Sequence, residues 1–227
     1  MSSEKNDKLS PMLLAVLANR FDGVVREMTN TMLKTGRSAV INSARDFSCG
    51  ITTASNELFA TAEGLPAHTY GLNLQSEAMC RFHQDIREGD AYLHNDPYSG
   101  NSHPADHTII VPVFWEGEHL FNVCAKAHQA DIGNSIPSTY HASAKDVYEE
   151  GALIFPAVRV QRDNITNDDI IRMCQRRIRV PDFWYGDFFI DKRQVSYDQL
   201  KSILSNQFSI SKQLSVIVMP DEDSAIK

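Results

Sequence analysis

Cysteine is scarce in this 227-residue chain, and its spacing excludes two classes of stabilised fold. None of the four cysteines forms a Cys-x-x-Cys pair, and they lie far apart at Cys49, Cys80, Cys124 and Cys174. This spacing argues against a disulfide framework and against a cysteine-rich zinc site. It is typical of reduced, mostly buried thiols, so we predict a cytoplasmic protein.

Long apolar runs and an excess of positive charge are also missing. No stretch reaches the ~18 consecutive apolar residues of a membrane helix, and the polar start MSSEKNDKLS is unlike a signal peptide. The formal net charge of -7 argues against a nucleic-acid surface. The one basic cluster, between Arg172 and Arg179, follows two aspartates and fits a solvated helix face. We therefore expect neither a membrane nor a nucleic acid as partner.

What the chain does contain is a clear succession of helix and strand patterns. Ser10 and Pro11 mark the start of a helix, apolar residues recur at helical spacing from 14 to 32, and Gly36 marks the end. Extended segments are predicted at 39–43, 46–53, 58–61 and 91–94, and further helices at 74–86 and 168–177. We predict an α+β fold: a long N-terminal helix, then mixed, mainly antiparallel strands with hairpins and short helices, as a fragment of a larger fold.

A β-hairpin is predicted between positions 108 and 128. Two apolar segments, 108–115 and 120–128, flank the turn pair Glu116-Gly117. A two-residue turn at this pair places Asp106 opposite Ala127 and His128 opposite Ala105. The polar residues before the first strand are thereby expected to meet His128 at the open end of the hairpin.

The stretch HNDPYSGNSHPADH, residues 94–107, gathers histidine and aspartate in a segment that cannot form a hydrophobic core. In the predicted hairpin His103 and Asp106 converge with His128. Two imidazoles and one carboxylate form a facial N,N,O set, which suits a divalent metal with open coordination positions. The plainer alternative is a set of ordinary loop side chains, because His-x-x-Asp alone is a weak signal.

Three further residues are candidates for supporting this site. Asp131 is the candidate for orienting a ligating histidine, although it could simply bond its own turn. Asp96, which precedes a proline, is a turn former. His107 lies off the proposed ligand face, as a supporting or a surface residue. No catalytic acid, base or nucleophile can be named from the sequence.

Several longer motifs resemble a known family. GDAYLHNDPYSGNSHPADH, AKAHQADIGN and EEGALIFP are similar to the hydantoinase B family of hydantoinase and oxoprolinase chains and related carboxylase subunits. HTIIVPVFWEGEHLF, DVYEEGALIFPAVRVQRD and DDIIRMCQRRIRVPDFWYGD most resemble the alpha subunits of acetone carboxylases. The resemblance runs from about Leu13 to Asp187, which is most of the chain.

The resemblance implies a place in a cytoplasmic ATP-dependent ligase of alpha, beta and gamma subunits that makes acetoacetate from acetone and bicarbonate. Nucleotide is bound by the hydantoinase A-like beta subunit, which fits the lack of a glycine-rich phosphate loop in this chain. The alpha subunit holds manganese, and its ligands fall on His103, Asp106 and His128. The implied partners are beta-type and gamma-type subunits, a small ketone and bicarbonate.

Two other functions stay open at this point. The chain could belong to an ATP-dependent hydantoinase or 5-oxoprolinase, which opens a cyclic amide and shares the family and the metal site. It could also be an inactive remnant that only binds partner subunits.

The end of the resemblance divides the chain into two parts. Residues 1–187 are expected to be the N-terminal part of a hydantoinase B-like domain, shorter than the family's alpha subunits. Residues 188–227 are expected to be a divergent tail that arose by truncation or frameshift, with a naturally short member as the alternative. A truncated chain should be poorly soluble and inactive by itself, because apolar surface made for the missing part is exposed.

Overall fold

A seven-stranded antiparallel sheet forms the centre of the structure, a computed structural model that describes residues 10–62 and 64–181. The strands are β1 (Phe47–Thr53), β2 (Leu58–Thr61), β3 (Ala91–His94), β4 (Asp106–Trp115), β5 (Glu118–His128), β6 (Val158–Arg162) and β7 (Ile165–Thr166). Their order across the sheet is β2-β1-β5-β4-β3-β6-β7, and every neighbouring pair is antiparallel. The predicted tail at 188–227 lies outside the described residues.

Six helices accompany the sheet in the described part of the chain. They are α1 (Pro11–Thr35), α2 (Ala39–Asn42), α3 (Pro66–Thr69), α4 (Leu72–Phe82), α5 (Val147–Glu150) and α6 (Asp168–Arg177). The predicted α+β class, with a long N-terminal helix and short later ones, is confirmed. Among the described residues, no helix combines the length and the apolar character that a membrane crossing needs.

Helix α1 begins and ends where its capping residues predict. The Ser10 hydroxyl accepts the N–H of Leu13 at 3.2 Å, and Pro11 occupies the first helical position. At the other end the Gly36 N–H donates to the Met32 carbonyl at 2.9 Å. A β-carbon at Gly36 would lie 2.3 Å from the Ile41 side chain, so the close approach of α2 requires glycine here.

The two faces of the sheet are covered by different helices. Cys49 and Ile51 of β1 pack with the buried stripe of α1, which includes Phe21. Gly50, between them, faces the opposite side, where a β-carbon would meet Leu72 of α4 at 2.7 Å. Strand β1 is therefore buried on both faces. This places the sheet between α1 on one side and α4 on the other.

Two predicted elements differ from the structure. Residues 39–43 were expected to be extended, but Ala39–Asn42 forms the single turn α2, because the Ser38 hydroxyl caps the N–H of Ile41 at 3.3 Å. The helix predicted over 74–86 begins at Leu72 and ends at Phe82. The short elements α3, α5, β6 and β7 were not predicted.

The predicted hairpin is confirmed, but its predicted register is wrong by one residue. Glu116 and Gly117 have φ values of 50° and 87°, as a two-residue hairpin turn requires. Phe114 pairs with His119, but the next residue of β4, Val113, pairs with Phe121. Leu120 is thus one extra residue in β5, a β-bulge that shifts all later pairs. As a result Asp106 lies opposite His128 rather than opposite Ala127.

Candidate metal centre

The three predicted ligand residues meet at the open end of the β4–β5 hairpin. Asp106 is the first residue of β4, His128 is the last residue of β5, and the two are directly paired. His103 lies in the turn that enters β4, where its carbonyl accepts the N–H of Asp106 at 2.9 Å. A short local turn and one strand pair therefore bring together residues that span 25 positions of the sequence.

One donor atom from each of the three residues lies within 4.8 Å of the others. His128 Nδ1 is 2.8 Å from Asp106 Oδ1, and the rings of His103 and His128 are stacked with centroids 5.7 Å apart. The Asp106 side chain is 3% exposed, whereas those of His128 and His103 are 12% and 31% exposed. The cluster thus has a buried carboxylate at its base and its imidazoles toward the surface.

A buried polar network holds the second oxygen of Asp106. Ser102 donates its hydroxyl to Asp106 Oδ2 at 2.5 Å and accepts a hydrogen bond from Lys126 Nζ at 2.6 Å. His68 Nε2 lies 3.4 Å from the same oxygen. Burial alone would raise the pKa of Asp106, but the hydrogen bonds from His128, His68 and Ser102 outweigh it. The pKa of Asp106 therefore lies well below its ordinary value, and the group is ionised at neutral pH.

Two further charged groups complete the inner part of the site. Lys126 is fully buried, and burial lowers its pKa to about 8 although Asp106 opposes that shift. Asp46 is joined to the site through its backbone carbonyl, which accepts the N–H of His128 at 3.0 Å. Asp46 Oδ1 approaches His68 Nε2 at 3.3 Å but accepts no hydrogen bond from the described residues. This buried carboxylate oxygen thus lies beside the cluster with an ion-pair contact to His68 but no hydrogen bond from the described residues.

The two imidazoles each have a partner at both ring nitrogens. The Ala105 N–H donates to His103 Nδ1 at 3.0 Å, and His103 Nε2 faces Glu150 Oε1 at 3.5 Å. His128 Nε2 forms a hydrogen bond with the Thr139 hydroxyl. Burial lowers the pKa of His103, which favours the neutral imidazole that binds metals.

Hydrogen bonds from two buried asparagines, and not apolar packing, hold the polar loop in its conformation. The Asn101 side-chain amide donates to the carbonyls of Asn95, His103 and Asp106 at 3.0, 2.5 and 2.8 Å. The Asn95 amide donates to the Pro104 carbonyl at 2.8 Å. These bonds fix the turn that positions His103 and Asp106. The abundance of asparagine in the motif was the available signal, but the sequence does not show which carbonyls they reach.

The three predicted supporting residues have different surroundings. The Asp131 carboxylate accepts hydrogen bonds from the Gly133 N–H at 2.8 Å and from the Arg179 N–H at 2.6 Å. Asp96 accepts from Tyr98 and Ser99 and thereby starts a 3-10 turn over 97–99. His107 is buried in β4 with Nε2 3.2 Å from the Asn95 amide. The residues that touch the imidazoles, Thr139 and Glu150, were not predicted, because they come from a later segment with no spacing signal.

Comparison with known proteins identifies the family. The hydantoinase B/oxoprolinase family model matches residues 10–191. The chain belongs to the hydantoinase B/oxoprolinase family. This hydantoinase B-like chain is 34% identical over 180 residues to caprolactamase subunit beta of Pseudomonas jessenii, covering 79% of this chain and 31% of that protein. It is 30% identical over 173 residues to 5-oxoprolinase of Dictyostelium discoideum, covering 76% of this chain and 14% of that protein.

Solved structures show the same relationship. The ATP-dependent caprolactamase from Pseudomonas jessenii superimposes with a TM-score of 0.84 at 29% identity, covering 93% of this chain and 37% of that chain. A nucleotide-free structure of acetone carboxylase shares the fold with a TM-score of 0.78 at 20% identity, covering 87% and 27%. The hydantoinase B-like chain thus spans about a third or less of these proteins. This confirms the prediction that its fold is part of a larger one. Relatives named caprolactamase and 5-oxoprolinase and a neighbour named acetone carboxylase all match.

Proposed function

We propose that this chain supplies the metal-binding part of an ATP-dependent enzyme that activates the carbonyl group of a small substrate. The observation that carries this proposal is the convergence of His103, Asp106 and His128 within 4.8 Å in a chain of the hydantoinase B/oxoprolinase family. The ATP requirement is taken from the caprolactamase and acetone carboxylase structures, whose names state it.

The donor set fits a divalent cation. Two imidazoles and one carboxylate are a mixed set that manganese accepts, and three protein ligands leave coordination positions open. The carboxylates of Asp46, Asp106 and Glu150 outnumber the ammonium group of Lys126, so a bound cation would balance the local charge. When bound, such an ion supplies Lewis-acid polarisation of a carbonyl oxygen.

The remaining residues of the site hold and shield this set. Lys126 and Ser102 fix one oxygen of Asp106, which leaves the other directed at His128. The ring of Tyr140 packs edge-on against the rings of both His103 and His128, at 5.3 and 6.3 Å.

Two substrate classes are consistent with this site. A cyclic amide is the first candidate, because the relatives at 34% and 30% identity are a caprolactamase subunit and a 5-oxoprolinase. A small ketone with bicarbonate is the second, because the motifs between positions 107 and 187 resemble acetone carboxylase alpha subunits. Both reactions act at a carbonyl group that a divalent cation can polarise.

Partner subunits complete the proposed enzyme. The P. jessenii relative is named as a beta subunit, which supports a multi-subunit assembly. We propose that a hydantoinase A-like subunit binds ATP, joined by a gamma-type subunit if the substrate is a ketone.

The proposal is tested first at the metal. The metal-stripped chain is equilibrated with Mn²⁺ or Zn²⁺ and its metal content is measured, together with His103→Ala, His128→Ala and the control His119→Ala. His119 lies near the other end of the same hairpin, so its variant should bind like wild type. Full occupancy in both ligand variants would show that the wrong residues were chosen.

The substrate is tested in the complex with its partner subunits. ATP hydrolysis and product formation are followed with caprolactam, 5-oxoproline and hydantoin, and separately with acetone and bicarbonate. Turnover of cyclic amides alone would exclude the ketone, and turnover of acetone alone would exclude the amides. A complex that binds metal but turns over none of these compounds would contradict the proposed enzyme.

A further inference from the structure

The segment between β5 and α5 reaches back to the imidazole pair. Thr139 lies in this segment, and its hydroxyl is bonded to Nε2 of His128. On the other side of the ring, Nδ1 of His128 lies 2.8 Å from Asp106 Oδ1. His128 is therefore held at both nitrogens by groups of different chemistry, an anionic carboxylate and a neutral hydroxyl.

The position of Thr139 is fixed from both sides. Before it, the Ser135 N–H donates to the Glu150 carbonyl at 2.7 Å. After it, the His141 N–H donates to Glu150 Oε1 at 3.3 Å. Tyr140, the next residue, packs against the rings of His103 and His128 at 5.3 and 6.3 Å. The hydroxyl is thus anchored at His128 by its surroundings.

We propose that Thr139 is a positioning residue that sets which nitrogen of His128 carries the proton. Because the Asp106 carboxylate can only accept, the His128 proton in the metal-free protein is assigned to Nδ1, and the Thr139 hydroxyl then donates to Nε2. If Nδ1, the nitrogen beside Asp106, held an ion, the ring proton would lie on Nε2 and the Thr139 oxygen would accept it. A hydroxyl can donate in one state and accept in the other, which a carboxylate or a backbone carbonyl cannot do.

This inference rests on the proposed metal site and adds the residue that orients one of its ligands. Metal-bound histidines usually donate the second ring N–H to a fixed acceptor, and the loss of such a partner weakens metal binding by ~10–100-fold. The sequence suggested Asp131 for this role, but its carboxylate is bonded to Gly133 and Arg179. Thr139 is the described residue bonded to His128 Nε2.

The test compares Thr139→Val, which keeps the shape but lacks the hydroxyl, with Thr139→Ser, which keeps the hydroxyl. Thr29→Val in α1 is the control, since its hydroxyl donates to the Val25 carbonyl of the same helix, away from the site. Affinity for Mn²⁺ is measured by calorimetry at one pH. We expect the valine variant to bind ~10–100-fold more weakly, and the serine and control variants to bind like wild type.

A spectroscopic readout separates a specific role from a structural one. In the Zn²⁺ form, NMR of ¹⁵N-histidine should show a protected Nε2–H on His128 in wild type and in Thr139→Ser, but not in Thr139→Val. Equal affinity and an equal Nε2–H signal in the valine variant would overturn the role of Thr139. Equal weakening by valine and serine would overturn it too, because loop packing would then be the cause. A wild-type chain that binds no ion would instead refute the metal site itself.

Discussion

Asp106 and His128 face each other on the same side of the sheet because β5 contains one extra residue, Leu120. Directly opposite residues of an antiparallel pair share a face, whereas a shift by one residue places them on opposite faces. In a hairpin without the bulge, Asp106 would share its face with Ala127 and His128 would point away. With all eleven residues of β5 present, the bulge is thus what brings the two ligands to one face of the sheet.

Deleting the bulge residue and deleting a residue beyond the bulge should have opposite effects on metal binding. Deleting Leu120 removes the bulge and leaves Asp106 opposite His128, so metal affinity should persist. Stability should fall by about 3 kcal/mol, because a buried leucine side chain is lost. Deleting Ala125 instead, beyond the bulge, moves His128 to the other face and should abolish binding. Equal metal affinity in the two deletion variants would contradict this account.

Asp106→Asn should weaken both the metal site and the fold. The amide is a poorer ligand than a carboxylate, and Lys126 loses the carboxylate 4.0 Å from its ammonium group. Removing one partner of a buried ion pair costs ~3–5 kcal/mol, to be measured by urea unfolding beside metal content. Asp163→Asn is the control, because its ion pair with Arg87 is exposed and contributes at most ~1 kcal/mol. Wild-type stability in Asp106→Asn would show that Lys126 does not depend on this carboxylate.

Asn101→Ala should loosen the turn that positions His103 and Asp106. Three backbone carbonyls lose their shared donor. The His103 carbonyl still accepts the Asp106 N–H, and each buried carbonyl that is left without a donor costs ~1–3 kcal/mol. We expect lower thermal stability together with weaker metal binding. Asn19→Ala on the exposed side of α1 should change neither. If Asn101→Ala lost stability but kept full metal affinity, the turn would not be what positions the ligands.

Stability should fall between about pH 6.5 and pH 4 because of His94. Burial lowers the pKa of His94 from 6.5 to about 4, so the unfolded chain takes up a proton in this range before the folded protein does. Protonation of the unfolded state favours unfolding, and the loss is ~1.4 kcal/mol per pH unit, or roughly 3 kcal/mol over the range. Replacing His94 with glutamine should remove this share of the pH dependence of the unfolding free energy and leave the share of His107, whose pKa burial lowers to about 3. An unchanged slope would exclude His94 as its source.

Local signals predicted those parts of the molecule that depend on neighbouring residues. Ser10, Pro11 and Gly36 delimit α1 as expected, since capping is decided within one turn. The Glu116-Gly117 turn also follows from short spacing, and so does the nearness of His103 and Asp106 to the end of the hairpin that carries His128. That Asp106 and His128 share a face depends on the bulge.

Features set by distant contacts could not be predicted. No turn residue marks the bulge at Leu120. The Leu120 carbonyl accepts a hydrogen bond from the N–H of Ala54, which lies in the distant connection between β1 and β2. His68 and Thr139 reach the site from segments whose spacing carries no pattern. Asp131 looked suited to the site, but Arg179, 48 residues later, occupies its carboxylate.

The placement of both hairpin ligands on adjacent strands also bears on the order of events during refolding. Asp106 and His128 close a loop of only 22 residues, a small entropic cost, and hairpins form within ~1–10 μs. Asp46 and His68 join the hairpin over longer stretches of chain, through His128 and Asp106 respectively. An ion can therefore be captured by the hairpin before the outer strands dock. We expect divalent metal to accelerate refolding in stopped-flow measurements; an effect on unfolding alone would place capture after the rate-limiting step.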